Sequence, residues 1–183
     1  MSKVFMTADL HLGHKNIMLY DNRPFSSLDA MHNYIIKQWN KTVTKADTVF
    51  VLGDVSFLDF EHTQLIISKL NGKKILIRGN HDKGHSDEWF TKCGFVKVIA
   101  FPIIYKDFYI LSHKPMYMNC SSAYFNIHGH IHTNKLNENL FFNVGIMNHD
   151  YKPVNFEDIK NRVSSVNGNI SFSKSEVDSS NPS

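Results

Sequence analysis

The sequence predicts a single α/β domain whose first half alternates strands with helices and whose second half consists mainly of strands. Apolar runs alternate with helically spaced apolar residues in the first half, and short strand-like runs with short connections follow. The order strand, helix, strand, helix, strand implies parallel pairing with right-handed crossovers. At 183 residues, the chain has the length of one domain that can bury a hydrophobic core without the support of disulfide bonds or structural metals.

The first half contains three predicted strands and two predicted helices. The strands are the apolar runs within KVFMTADLH, DTVFVLGD and KKILIRGNHD, each followed by polar residues. The first helix is LDAMHNYIIKQWNKTV, in which Met31, Ile35 and Trp39 recur at helical spacing after a cap at Ser27 or Asp29. The second helix is FEHTQLIISKLNG, which ends at an Asn-Gly stop signal.

The second half changes character. Its strand-like runs are FVKVIAFPIIY, FYILSHKP, YFNIHGHIH and LFFNVGI, whose short connections are typical of a meander or a mixed sheet. One last short helix is expected in PVNFEDIKNRV. We therefore place the domain at residues 1–163 and expect a terminal strand and a disordered tail at 164–183, where large apolar residues become rare.

Composition and charge limit the function classes. A formal charge of +3 and a pI near 8.8 permit an anionic ligand, but no dense stripe of lysine and arginine indicates a nucleic-acid groove. Cys93 and Cys120 have no CxxC spacing and are expected to be reduced thiols. No apolar run approaches the ~20 residues of a membrane span, and Asp9 and His11 stand where a signal peptide would be apolar. We expect a soluble cytoplasmic protein, in the host cytoplasm if a phage encodes it, with no membrane partner.

Metal-binding side chains follow the predicted strands where each strand ends. Ligands gather beyond the carboxyl ends of strands in open α/β sheets, so these side chains are expected to meet at one rim. Residues two apart in an extended chain point the same way, which predicts that Asp9 converges with His11, and His130 with His132. The complete set is Asp9, His11, Asp54, Asn80, His81, Asp82, His113, His130 and His132.

These donor groups indicate the kind of metal. Imidazole, carboxylate and carboxamide groups without cysteine suit borderline divalent ions. The candidates are too many for one tetrahedral site, so we expect two ions about 3.5–4 Å apart, bridged by a carboxylate. Manganese is the first expectation, with iron, nickel, cobalt and zinc as alternatives.

The ordered series DLH, GD, GNHD, SHKP and GHIH resembles the calcineurin-like metallophosphoesterase superfamily. More narrowly, it is similar to compact bacterial and phage members that open with DLHxGHxNI, here DLHLGHKNI, and the later segments NVG and YKPVNFEDI also fit. Each motif alone is weak, but five in the right order, each closing a predicted strand, are specific. The resemblance implies a four-layer αββα sandwich with two mixed sheets flanked by helices.

The resemblance also implies a role for each motif residue. The first metal would be held by Asp9, His11, Asp54 and His132, and the second by Asp54, Asn80, His113 and His130. Asp54 would bridge the two ions. His81 would contact the phosphate or protonate the leaving oxygen after in-line attack by a metal-activated hydroxide on phosphorus.

Three further residues have open interpretations. His14 follows the first ligands closely and is expected in the pocket wall rather than as a ligand. Arg23 could clamp a substrate phosphate, or be an ordinary arginine of a surface loop. His128 shares the GHIH spacing and is expected to support that motif from behind. Asp82 is expected to be a structural cap.

One residue departs from the superfamily's protein phosphatases, in which GDxxDRG supplies an Asp that orients the histidine of GNH. Phe57 stands at that place, so the partner of His81 is open and protein-phosphatase activity is not expected. The phenylalanine-rich runs are interpreted as core, not as a surface that stacks bases.

The sequence therefore predicts a dinuclear phosphoesterase, most simply a phosphodiesterase for small or nucleotide-type esters, because little chain remains for a specificity cap. A metal-dependent nuclease is the alternative with the same chemistry. A non-catalytic metal-binding scaffold on the same fold is the alternative of another class, but such scaffolds tend to lose a ligand and here every one is present. The oligomeric state stays open.

Overall fold

The computed structural model describes residues 1–119 and 122–168, which form two β-sheets and five α-helices. The strands are β1 Val4–Thr7, β2 Thr48–Val51, β3 Lys73–Ile77, β4 Phe95–Ile99, β5 Ile103–Tyr105, β6 Tyr109–Leu111, β7 Phe125–His128, β8 Phe141–Asn143 and β9 Val154–Asn155. The helices are α1 Ile17–Tyr20, α2 Leu28–Thr42, α3 Phe60–Lys69, α4 Asp87–Cys93 and α5 Phe156–Gly168, with 3₁₀ turns at His81–Gly84 and Ile146–Asn148.

Both sheets are mixed. The first has the strand order β4-β3-β2-β1-β9, in which β1 to β4 are parallel and β9 runs antiparallel to β1. The second has the order β5-β6-β7-β8, in which β5 runs antiparallel to β6 and the other pairs are parallel. The parallel half follows from the predicted alternation of strands and helices.

The first sheet separates two hydrophobic cores. Phe5 and Val49 pack on one face against residues of α2, α3 and α4, including the fully buried Trp39. Met6 and Phe50 point to the other face and pack against the second sheet and α5. Successive strand side chains point to opposite faces, so β1 and β2 are apolar on both sides. The predicted α/β architecture of two mixed sheets flanked by helices is confirmed.

The long helices begin and end close to their predicted signals. Ser27, not Asp29, caps α2, and its hydroxyl oxygen accepts the Ala30 N–H at 3.1 Å. Asp59 caps α3 in the same way, through the N–H of His62. Beyond α3 the chain turns at Gly72, whose φ of +86° lies in the left-handed region that glycine enters without strain. Short polar side chains satisfy the free N–H groups of a first turn, which fixes both helix starts.

Two parts of the second half differ from prediction. The run FVKVIAFPIIY is not one strand of a meander, because β4 belongs to the first sheet and β5 to the second. The short helix α4 was not predicted. It has only seven residues, too few for a clear apolar period, although Ser86 caps it and Gly94 follows it in a left-handed conformation.

The C-terminal helix is longer than predicted. Helix α5 continues through Gly168, past the predicted domain end at residue 163, because Phe156, Ile159 and Val163 lie on one helical face and enter the core between the sheets. The strand and tail expected at 164–183 are therefore wrong for residues 164–168, and residues 169–183 lie outside the described part.

Cys93 is a fully buried free thiol, and Cys120 lies outside the described residues. Within residues 1–119 and 122–168, no helix has the length and apolar composition that crossing a membrane requires.

Candidate metal centre

The candidate ligands follow strands of both sheets at their carboxyl ends. Asp9 and His11 follow β1, Asp54 follows β2, and Asn80 follows β3. In the second sheet, His113 follows β6, and both histidines of GHIH follow β7. Parallel strands place their carboxyl ends at one edge, so residues more than a hundred positions apart meet there.

The backbone at this edge is left-handed rather than extended. The residues concerned are Asp9 (φ 60°), His11 (φ 49°), Asp54 (φ 55°), His130 (φ 69°) and His132 (φ 52°). For a residue other than glycine, a left-handed conformation costs about 1–3 kcal/mol. It persists where the surrounding structure imposes it, most often at functional sites. The expected extended conformation is therefore wrong for both pairs. Asp9 and His11 nevertheless converge, whereas His130 and His132 turn toward different points.

The donor atoms form two groups. In the first, atoms of Asp9, His11 and His132 lie within 4.8 Å of one another, and in the second the same holds for Asp54, His113 and His130. Each group is three of the four residues that the resemblance assigned to one ion, without Asp54 in the first and without Asn80 in the second. The structure thus brings together six of the seven predicted ligands as candidate metal groups.

Asp54 and Asn80 connect these groups. One carboxylate oxygen of Asp54, Oδ2, lies 3.7 Å from Nε2 of His11 and 3.4 Å from Nε2 of His113, so it faces both groups. The seventh predicted ligand, Asn80, places Oδ1 3.0 Å from the same His113 nitrogen. Asp54 is therefore positioned as the carboxylate that two ions would share.

The burial and hydrogen bonding of His11 show whether the candidate residues suit a metal ion. Its ring is 1% exposed, and neither ring nitrogen has a hydrogen-bond partner among the described residues. Buried polar atoms are almost always paired, because leaving one unpaired costs about 1–3 kcal/mol. A metal ion bound by one nitrogen would remove that cost for the bound nitrogen, and nitrogen and oxygen donors without thiolate suit a divalent ion. The residues fit.

Burial and neighbouring charges shift the pKa values of the two carboxylates in opposite directions. Burial, strengthened by the nearby charge of Asp54, raises the pKa of Asp9 to about 7 although His113 opposes the shift. Burial also acts on Asp54, but the hydrogen bond and charge of His113 outweigh it and hold its pKa at about 2. The two groups contain two carboxylates and four imidazoles, and the raised pKa of Asp9 indicates that its negative charge lacks a countercharge, which a divalent cation would supply.

Two glycines allow the loops to approach the carboxylates. A Cβ at Gly79 would clash with Oδ1 of Asp54, and one at Gly129 would lie 2.5 Å from Oδ2 of Asp9. Asp82 holds the β2 and β3 loops together by accepting N–H groups of Gly79, Asp54 and Val55 at 2.7–3.0 Å. The structure therefore places Asp82 beneath the centre, in the structural position expected for it.

Arg23 is neither a phosphate clamp nor a surface-loop residue. It is 4% exposed, and its guanidinium donates to Oδ2 of Asp21 at 3.1 Å and to the carbonyl oxygens of Asp9 and Leu10. Oδ1 of Asp21 in turn lies 2.6 Å from Nδ1 of His132. This Arg23–Asp21–His132 chain fixes the ring of a candidate ligand, and sequence reasoning missed Asp21 because only the folded turn brings it to the GHIH loop.

Replacing Asp21 by Asn is expected to lower affinity for the ion at His132 by about 10–100-fold, because the carboxylate fixes the ring so that Nε2 faces the metal. Metal affinity measured by competition with a chelating dye checks this. Asp107→Asn, in the exposed turn between β5 and β6, is the matched control. An Asp21→Asn protein with wild-type affinity for both ions would contradict this role.

The two other uncertain histidines lie beside the centre and belong to neither ligand group. His128 is 1% exposed, donates from Nδ1 to the Gly129 carbonyl at 2.9 Å and contacts Phe141, so it lies behind the GHIH loop. The His14 ring stacks on Phe57 with 4.3 Å between centroids. The structure places both where a supporting or wall residue would lie.

His81 stands at the open side of the centre. Its side chain is 47% exposed, its Nε2 lies 3.9 Å from Oδ2 of Asp54, and its main-chain N–H donates to Oδ1 of Asp54 at 3.0 Å. Among the described residues no side chain hydrogen-bonds its ring, and the nearest ring neighbours are Phe57 at 5.0 Å and His11 at 5.8 Å. Phe57 stands where GDxxDRG has its second aspartate, so His81 has an aromatic neighbour at the place of that carboxylate.

Comparisons with known proteins find related chains. The family model for calcineurin-like phosphoesterase matches residues 2–175. An uncharacterized protein of Methanocaldococcus jannaschii is 36% identical over 172 residues, covering 86% of this chain and 89% of that protein. The Gene 66 protein of Mycobacterium phage L5 is 39% identical over 88 residues, and the match spans 46% of this chain and 42% of that protein.

A solved structure agrees as well. A protein of unknown function from Aquifex aeolicus superposes with a TM-score of 0.67 at 25% identity, covering 88% of this chain and 99% of that one. A family match over nearly the whole chain coincides with two candidate ligand groups at the shared edge of two mixed sheets. The chain therefore belongs to the calcineurin-like phosphoesterase family and is a metal-dependent phosphoester hydrolase.

Proposed function

We propose that this protein is a phosphodiesterase for small or nucleotide-type esters that uses two divalent ions, with manganese as the preferred metal. The observation that carries the proposal is the position of Asp54, whose Oδ2 faces both candidate ligand groups. Donor groups of histidine, carboxylate and carboxamide without thiolate suit borderline divalent ions, and the carboxylate and carboxamide oxygens are compatible with manganese.

The residues of the centre have two roles, metal binding and proton transfer. When bound, the two ions would supply hydroxide at neutral pH and neutralise charge that develops on the phosphoryl oxygens. Asp9, His11 and His132 would hold one ion, and Asn80, His113 and His130 the other, with Asp54 shared. His81 is exposed toward the substrate side, where an imidazole can give a proton to a leaving oxygen.

The shape of the surroundings favours a diester over a monoester. A cavity of about 440 Å³ opens beside Asn80 and His113 and is bordered by Lys83, Lys114 and Met116. Outside the residues that line this cavity, the exposed ring of Phe57 lies beside His81, with 5.0 Å between ring centroids, and offers a surface for a second substituent. A monoester would use only one of these spaces, whereas a diester has a substituent for each.

The test compares bis(p-nitrophenyl) phosphate with p-nitrophenyl phosphate after the protein has been stripped of metal and reloaded. We expect kcat/KM with manganese to be higher for the diester, and chelation to abolish both activities. The matched exposed variant Lys160→Ala on α5 is the control for nonspecific effects of mutation. Preference for the monoester would reject the diesterase proposal, although phosphoester hydrolysis would stand.

A nuclease remains the second candidate because Lys83 and Lys114 border the same cavity and Tyr117, which follows Met116, is fully exposed. Basic groups next to an exposed aromatic ring are typical of surfaces that bind single strands. Binding of an oligonucleotide that weakens steeply with salt would favour the nuclease, since each phosphate contact releases counterions. Binding that does not depend on salt would favour the small-substrate enzyme.

A further inference from the structure

An exposed aromatic surface lies directly beside His81. It consists of Phe57, His14 and Tyr20, which we call the aromatic platform. Phe57 stacks on His14 with 4.3 Å between centroids and 22° between ring planes, and His14 meets Tyr20 edge-on at 6.3 Å. Phe57 is 42% exposed and Tyr20 is 71% exposed. The platform therefore continues from His81 outward over the surface.

The main chain holds the platform in place. The Phe57 N–H donates to the Leu12 carbonyl at 2.8 Å, within a bridge between Leu12 and Ser56 that ties the β1 loop to the β2 loop. The Ser56 hydroxyl oxygen then accepts the N–H of Leu58 at 3.1 Å. A ring fixed in this way loses little conformational entropy when a ligand packs against it.

The platform also has the right position for part of a substrate. The ring of Phe57 lies 5.7 Å from His11, a candidate metal ligand, and 5.0 Å from His81. A phosphate held at the centre would thus carry a neighbouring sugar across His81 and bring the next ring onto Phe57. An exposed apolar ring beside a polar catalytic centre is explained when a planar group covers it, since every base has a face that stacks.

We propose that the aromatic platform binds the nucleobase of a nucleotide ester, with Phe57 as the stacking residue and His14 as its support. This inference rests on the proposed function and deepens it, because it assigns the substrate class to a particular surface. It makes Phe57 a specificity-determining residue: the ring recognises the planar group of the substrate and takes no part in bond cleavage.

The experiment is calorimetric titration of the manganese-loaded protein with thymidine 5′-monophosphate and with deoxyribose 5-phosphate. The two ligands share sugar and phosphate and differ in the base. We expect the wild-type protein to bind the nucleotide about tenfold more tightly, equivalent to about 1.4 kcal/mol. In Phe57→Leu this preference should fall at least fivefold, whereas Phe57→Tyr, which keeps a ring, should retain it.

Phe101→Leu is the matched control, because Phe101 is a phenylalanine that is 77% exposed in the loop between β4 and β5. It should keep the wild-type preference. Equal affinity of the wild-type protein for both ligands, or equal losses in Phe57→Leu and Phe57→Tyr, would overturn the proposal. Diester hydrolysis is assayed separately, so a failure of the platform and a failure of the proposed phosphodiesterase give different results.

Discussion

Replacing Asp54 by Asn is expected to lower metal-dependent hydrolysis by at least about 10³-fold and to remove one of the two bound ions. Oδ2 of Asp54 faces His11 at 3.7 Å and His113 at 3.4 Å, so the substitution removes the negative charge that both ligand groups would share. A bound ion stabilises the transition state by several kcal/mol, and each 1.36 kcal/mol is tenfold in rate. The measurements are the number of ions per protein after reloading with manganese and kcat/KM for an aryl diester.

Two controls show whether the effect of Asp54→Asn arises from the metal centre. Asparagine retains the oxygen that accepts the His81 N–H, so the metal-free variant should keep the fold of the metal-free wild type. Asp158→Asn, on the exposed face of α5, should bind two ions and retain full activity. An Asp54→Asn protein that binds two ions and hydrolyses the diester within tenfold of wild type would show that Asp54 is not the shared ligand.

The ligand set could be predicted because its chemistry is local to strand ends. Each of DLH, GD, GNHD, SHKP and GHIH closes an apolar strand, and parallel strands bring their carboxyl ends to one edge. Strand spacing alone could not predict how side chains from one motif divide between two groups; only the family resemblance assigned His130 and His132 to different ions. His130 and His132 separate because both adopt left-handed conformations, which depend on contacts such as the one between the His130 N–H and Asp9.

Contacts between distant segments also explain why the sequence did not predict the roles of Arg23, Asp21 and Phe57. Arg23 and Asp21 acquire their role only when their loop folds back onto the carbonyl oxygens of Asp9 and Leu10. Phe57 was interpreted only as the residue that replaces the aspartate of the protein phosphatases, and its exposure follows from the bridge between Leu12 and Ser56, which holds it at the surface. Hydrophobicity predicts burial on average, so the informative exceptions appear only in the fold.

Replacing His81 by Ala is expected to reduce cleavage of dithymidine monophosphate by about 10²–10⁴-fold, the range found for loss of a general acid. The p-nitrophenyl ester of thymidine 5′-monophosphate should lose far less. Both esters contain thymidine phosphate, but nitrophenolate leaves readily as an anion, whereas a nucleoside oxygen must receive a proton. The ratio of kcat/KM for the two esters, in wild type and variant, is the measurement.

This ratio separates the two roles that His81 could have. If the ring only contacts the phosphate, its loss lowers both rates equally, because both substrates carry the same phosphate. His81→Gln should behave like His81→Ala on the dinucleotide, since an amide can hydrogen-bond a phosphate oxygen but supplies no catalytic proton. His62→Ala, at an exposed histidine of α3, is the control and should change neither rate. Because no described side chain hydrogen-bonds the His81 ring, its proton must come from solvent on the exposed side. Proton transfer is therefore expected to need no partner carboxylate at the position of Phe57.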